Sequence, residues 1–175
     1  MGRDKSLLAV DGTTLARRTA SLLGRVVGTS IEVGPGTSGL PSILESPRGE
    51  GPLVAIAAGY GALRAQGLVG DALVLACDLP LLNEQLLGLL AHFDAPGSVV
   101  PLVAGRAQPL CARWARHDLE LAGELVARGE RSLRHVTRGP NVTLLDRSAW
   151  QHVASEATFL DVDTPEDLAR LGLTP

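Results

Sequence analysis

Two kinds of apolar run alternate along this chain, short continuous ones and longer ones with helical spacing. Gly12-Thr13-Thr14 followed by residues 15–23 predicts a capped amphipathic helix. Residues 31–33 and 43–44 predict short strands, each ended by glycine or proline. Gly51-Pro52 opens a second helix over 53–66. Pro52 suits the first helical position, where its missing N–H would be unpaired anyway. Residues 72–77 are apolar without alternation, the pattern of a strand buried on both faces of a parallel sheet.

Further along, 83–93 predicts a helix, 98–103 and 109–114 predict strands, and Asp118 is expected to cap a helix reaching 127. Thr164-Pro165-Glu166-Asp167 starts the last helix, with Thr164 as N-cap and Pro165 in the first turn. Strands alternating with helices at this spacing predict an α/β fold, three-layer, with a mainly parallel sheet. Neither repeats nor a linker interrupt it, so one domain is expected over residues 1–175. Domains of this class normally open on a buried strand, and no such run stands ahead of Leu7.

Composition narrows the partners. A hydrophobic fraction of 45% with 20% charged residues is that of a globular protein. Aromatics make up only 3%, too few for the stacking platforms of single-strand nucleic-acid binders. A net charge of −3 disfavours unspecific contact with DNA or a membrane surface, so an anionic substrate would need locally placed positive charge. Cys77 and Cys111 lie in apolar stretches and read as reduced thiols. No run is long and apolar enough to span a bilayer, and no apolar h-region follows the charges at residues 3–5. A cytoplasmic protein is expected.

Candidate chemistry gathers at a few positions. Lys5 is the only lysine, against fifteen arginines. An ammonium is a compact point charge and a guanidinium a planar fork, so the exception has meaning where one charge must meet phosphate oxygens. Asp78 follows the buried run directly and precedes Leu79-Pro80. Ligands of open α/β sheets bind just beyond the carboxyl ends of strands, where a carboxylate can hold a hard cation. A turn aspartate is the plainer alternative. In Asp161-Val162-Asp163 the two acids, two residues apart on an extended segment, face one side and could share a cation or complement the dipole of the following helix. The four histidines lack metal-ligand spacing, and neither a nucleophile elbow nor Gly-x-Gly-x-x-Gly is present.

Six segments in order resemble a known family. Met1-Gly2-Arg3-Asp4-Lys5 resembles the end of the nucleotidyltransferase signature Leu-Ala-Gly-Gly-x-Ser-x-Arg-Met-Gly-x-Asp-Lys. Gly51-Pro52-Leu53, Cys77-Asp78-Leu79-Pro80, Gln108-Pro109-Leu110, Gly129-Glu130-Arg131 and Asp163-Thr164-Pro165-Glu166-Asp167-Leu168 follow. Together they resemble the MobA-like nucleotidyltransferases, the molybdenum cofactor guanylyltransferases above all, over essentially the whole chain.

That resemblance implies a Rossmann-like domain that transfers GMP from GTP to molybdopterin, releases pyrophosphate and uses Mg2+. It further implies contact with other molybdenum cofactor proteins and molybdoenzymes. Lys5 and Asp78 take the catalytic positions. Gly2, Arg3, Lys5, Glu45 and Asp78 take the nucleotide-binding positions, and Asp78 and Asp163 the metal positions. Asp163 stands where the family more often has asparagine, Glu45 where it has aspartate, and Gly34 where some members place a nucleotide-contacting asparagine. The family's first strand and Gly-rich loop would lie ahead of Met1, in roughly 10–20 further residues. A molybdopterin cytidylyltransferase, a phospholactate guanylyltransferase and a non-catalytic nucleotide-binding protein are the alternatives.

Overall fold

The computed structural model describes residues 7–174. β1 (Ala9–Val10) and β2 (Thr13–Thr14) form a small antiparallel hairpin. Asp11 and Gly12 make its two-residue turn, both at positive φ (51° and 73°). Asp-Gly is the dipeptide that such a turn favours, so the hairpin was signalled in the sequence though not predicted. Thr14 caps α1 (Leu15–Val26) by accepting the Arg17 amide at 3.4 Å. Then come β3 (Glu32–Val33), β4 (Ser42–Ile43) and α2 (Pro52–Ala65). Gly51 meets α2 with φ 98°, a conformation that side-chain-bearing residues resist.

The remaining elements are β5 (Ala72–Leu75), α3 (Glu84–His92), β6 (Ser98–Val103), β7 (Arg106–Ala107), β8 (Cys111–Trp114) and α4 (Arg116–Ala127). They are followed by α5 (Arg134–Thr137), β9 (Val142–Leu145), α6 (Arg147–Trp150), a 3-10 turn at Glu156–Phe159 and α7 (Pro165–Arg170). β5, β8, β6 and β7 neighbour one another in that order, and β9 pairs with β6. β8 runs antiparallel to both β5 and β6, while β6 and β9 are parallel, as are β3 and β4. β5, β6 and β9 therefore share one direction, and β8 is the inserted reverse strand. Among the described residues β5 pairs only with β8, and β3 only with β4.

Helices cover both faces of the larger sheet, so Ser98–Pro101 of β6 and all of β8 are buried on either side. Leu73, Leu75, Val99 and Cys111 join one core with α3, α6 and the Leu22 side of α1. Ala72, Val74, Val100, Ala112 and Trp114 join a second core with α2, α4 and α5. Leu86, Leu87 and Leu90 are fully buried, each stabilising the fold by about 1.5–3 kcal/mol. Burial also pushes the Cys111 thiol up to about 12, which makes it inert. A third, smaller cluster joins Val10 and Leu15 to Val162 and Leu168. Among the described residues, no helix is long and apolar enough to cross a membrane.

Three expectations change. Asp118 is no cap: α4 starts at Arg116 after Ala115, and the buried Asp118 carboxylate accepts the Ser98 hydroxyl instead. The strand expected over 109–114 begins at Cys111, because Pro109 lends its carbonyl to the Trp114 indole N–H at 3.0 Å. The run at 72–77 is a strand only to Leu75, and its residues are half-buried rather than enclosed.

Candidate functional site

Asp78 is carried just beyond the carboxyl end of β5. The Ala76 amide still pairs with the Leu110 carbonyl at 2.7 Å, and Leu79 and Leu82 anchor the following turn in the core. The Asp78 carbonyl accepts the Val162 amide at 3.0 Å, which draws residues 161–163 alongside. Val162 is buried, so Asp161 and Asp163 on either side of it turn outward together. One carboxylate oxygen from each of Asp78, Asp161 and Asp163 lies within 4.8 Å of the others.

The second arm of this trio is held by α7. Thr164 accepts the Asp167 amide at 3.2 Å, and Asp167 accepts the Asp163 and Thr164 amides at 3.2 and 3.1 Å. The Thr164 hydroxyl, with those amides, holds the Asp167 carboxyl below the usual range. Asp167 thus stays an anion with its own partners and fixes the backbone of its neighbours.

Beside Asp78 opens a cleft of about 810 Å3 between α1, β3, α2 and β5. At its rim Glu32 accepts the Gly36, Ser38 and Thr37 amides at 2.7, 2.8 and 3.1 Å. Burial alone would raise its carboxyl, but bonds from the Ser38 side chain and from the Ser38, Thr37 and Gly36 amides outweigh that and hold it low. The charged residues lining the cleft among the described ones are Glu32, Asp71 and Asp78, all acidic.

The structure brings Asp78 beside Asp163 and beside Asp161, the acid read from the sequence as able to share a cation with Asp163. The two-residue spacing of 161 and 163 was the signal for that third acid. Glu45 does not line the cleft; its carboxylate accepts the Gly49 amide at 3.1 Å within its own turn. Gly34 does line it. Gly2, Arg3 and Lys5 lie outside the described residues. Glu32 was missed, since a single glutamate ahead of a glycine turn has no periodic or spacing signal. Two of the sequence segments prove to be neighbours: Arg131 pairs with Glu50, beside Gly51-Pro52, and donates to the Val126 and Glu130 carbonyls at 3.3 and 2.9 Å.

An acidic trio just beyond the carboxyl end of a strand, beside a cleft in an α/β domain, stands where open α/β sheets bind their ligands. The family model described as MobA-like NTP transferase domain matches residues 1–153. The chain belongs to that family. It is 35% identical over 190 residues to the probable molybdenum cofactor guanylyltransferase of Mycolicibacterium paratuberculosis, covering 98% of this chain and 88% of that one. To the molybdenum cofactor guanylyltransferase of Rhodobacter capsulatus it is 32% identical over 177 residues, covering 97% and 87%. Its fold is similar to that of molybdopterin-guanine dinucleotide biosynthesis protein A from Archaeoglobus fulgidus (TM-score 0.72, 20% identity, 97% and 89% covered).

Proposed function

We propose that this chain transfers GMP from GTP to molybdopterin, with Mg2+ held by Asp78, Asp161 and Asp163. The convergence of those three carboxylates carries the reading. All three are hard oxygen donors, as Mg2+ requires. Oxygens neighbouring one another around an ion at ~2.1 Å lie roughly 3 Å apart. A trio already within 4.8 Å reaches that spacing by small side-chain rotations.

A terminal phosphate oxygen of molybdopterin attacks the α-phosphorus of GTP in line. The new P–O bond forms as the bond to the bridging oxygen breaks, and pyrophosphate leaves with that electron pair. Both reactants are anions, so the protein's work is positioning and the cancelling of charge. The chemistry a bound Mg2+ supplies is charge neutralisation at the phosphates. Lys5 and Arg3 add positive charge, Gly2 leaves room for the phosphates, and Glu45 serves the nucleotide. These four roles rest on the family resemblance. They also answer a need, because the charged residues among the described ones that line the cleft are all acidic. At an effective dielectric of ~20, one unit charge ~4 Å from another is worth about 4 kcal/mol before desolvation. The reaction belongs in the cytoplasm, where Cys77 and Cys111 remain reduced.

Calorimetric titration with GTP and with CTP, each with and without Mg2+, tests the nucleotide. Turnover with molybdopterin tests the reaction. Asp78→Ala is expected to cut Mg2+-dependent turnover at least ~100-fold with an unchanged circular dichroism spectrum. Lys5→Arg is expected not to restore the activity lost in Lys5→Ala. Preference for CTP, or normal turnover without Asp78, overturns the assignment.

A further inference from the structure

Gln108-Pro109-Leu110 joins β7 to β8, and its main chain stitches two strands together at the end of the sheet where Asp78 leaves. The Gln108 amide donates to the Pro101 carbonyl of β6 at 2.9 Å, and the Leu110 carbonyl accepts the Ala76 amide at 2.7 Å. β7 and β8 are thus two lengths of one lane, antiparallel to β6 throughout. Arg113 of β8 marks a common rung, opposite Leu73 of β5 and Val99 of β6. Val103, which faces Arg106, stands four residues beyond that rung on β6, and Asp78 stands five beyond it on β5. Arg106 is therefore level with Asp78 and one lane away, on the order of 6–10 Å between main chains, a gap that an arginine side chain spans.

The side chain also leaves on the face of the acids. Val103 packs on the core of α3 and α6, and Ala107 on the core of α2 and α4. Arg106 opposes Val103 and alternates with Ala107, so it projects on the α3 side. Phe159, just ahead of Asp161, belongs to that same core, so the second arm of the trio rises from that side too. The hairpin tip is fixed: Ala104 and Gly105 have φ 47° and 77°, the two-residue turn that continues the twist of paired strands. An alanine resists that conformation, and residues held in it cluster at ligand sites. The Gln108 side-chain amide donates back to the Arg106 carbonyl at 3.4 Å. Arg106 itself is exposed and pairs with no carboxylate among the described residues.

We infer that Arg106 receives the terminal phosphate of the acceptor and holds it beside Asp78. A guanidinium is a planar fork that takes two phosphate oxygens at once, leaving the third free to attack. Three converging carboxylates repel an incoming phosphate, so its path needs a cation of its own. Arg106 supplies one on the β8 side of Asp78, away from the cleft. The acceptor role rests on the reaction proposed above; the phosphate contact does not.

The 175-residue chain, labelled with 15N in arginine and with Mg2+ present, is titrated with phenyl phosphate, a monoester that carries the acceptor's terminal group. The Nε–H signal of Arg106, identified by its loss in Arg106→Lys, is expected to shift saturably, while sodium chloride at equal ionic strength leaves it in place. No shift, or an equal shift at the exposed Arg64 and Arg128, would mean an ordinary solvated arginine and overturn the inference. Turnover then reads the role. With GTP saturating and molybdopterin varied, Arg106→Ala is expected to raise KM for molybdopterin ~10- to 100-fold, with GTP affinity and the thermal midpoint unchanged. Arg106→Lys should recover part of that KM but not kcat, because a point charge binds the phosphate without orienting it. An unchanged KM, or an equal loss of GTP affinity, overturns the acceptor role. A wild-type chain without turnover refutes the reaction itself, and the phosphate titration alone then decides the contact at Arg106.

Discussion

At Glu32 one carboxylate closes a turn by accepting three main-chain amides, those of Gly36, Thr37 and Ser38. Its pKa is depressed in the folded state, so its contribution is complete above the ordinary glutamate range and is lost as pH falls through the depressed value. The 34–38 turn should therefore loosen on the acid side, seen as faster amide exchange at Gly36–Ser38 than base-line chemistry predicts. Glu32→Gln should remove that acid-side change and cost roughly 1 kcal/mol at neutral pH. A pH-dependent turn in the Gln variant would show that another group holds it. Asp78 and Asp163 were legible at this scale because strand ends and helix starts leave marks in sequence. Glu32 was not, since its partners are amides, which every residue carries.

Helices were read more faithfully than strands. α1, α3 and α7 each begin on the polar cap the sequence shows: Thr14, Asn83 and Thr164. A cap is a local contract between a side chain and amides two or three residues on, so it survives any tertiary setting. α4 broke the pattern because Asp118 was claimed by Ser98 at the start of β6, a contact between residues twenty apart. β7 and β9 went unpredicted, the first for its two-residue length and the second because a four-residue run after Asn141 lacks a distinctive period. Thr164→Ala should cost about 1 kcal/mol and free Asp163 to turn. We expect weaker Mg2+ binding with an intact core, checked by calorimetry beside thermal unfolding; unchanged binding would mean that α7 does not orient the acids.

Across the whole molecule the two cores meet on β8, where Arg113 is 8% exposed. It donates to the carbonyls of Ala91, Phe93, Ala95 and Gly97 at 3.3, 2.9, 2.8 and 3.1 Å, fastening the α3–β6 connection to the sheet. Replacing it by leucine strips those four carbonyls of their donor. Arg113→Leu should lower stability by about 3 kcal/mol, a fall in thermal midpoint of roughly 6–12 °C for a chain of this size. A loss below ~1 kcal/mol would show that water replaces the guanidinium. The three-layer plan was visible in the order of apolar runs, whereas this fastening was not, because an arginine in a strand usually signals an outward face.

The acidic trio is also divided between two structural loyalties. Asp78 belongs to the large cores, but Asp161 and Asp163 ride on the small cluster of Val10, Leu15, Val162 and Leu168, joined to Asp78 among the described residues by the Val162 amide bond. Such a seam can part while the rest stays closed. The protein should then behave as a molecule with a breakaway joint: at urea levels that leave its ellipticity intact, Mg2+ affinity falls and the Val162 amide exchanges long before that of Leu86. Bound ion would act on that joint as a rivet, shifting its opening to higher urea in proportion to the logarithm of free Mg2+.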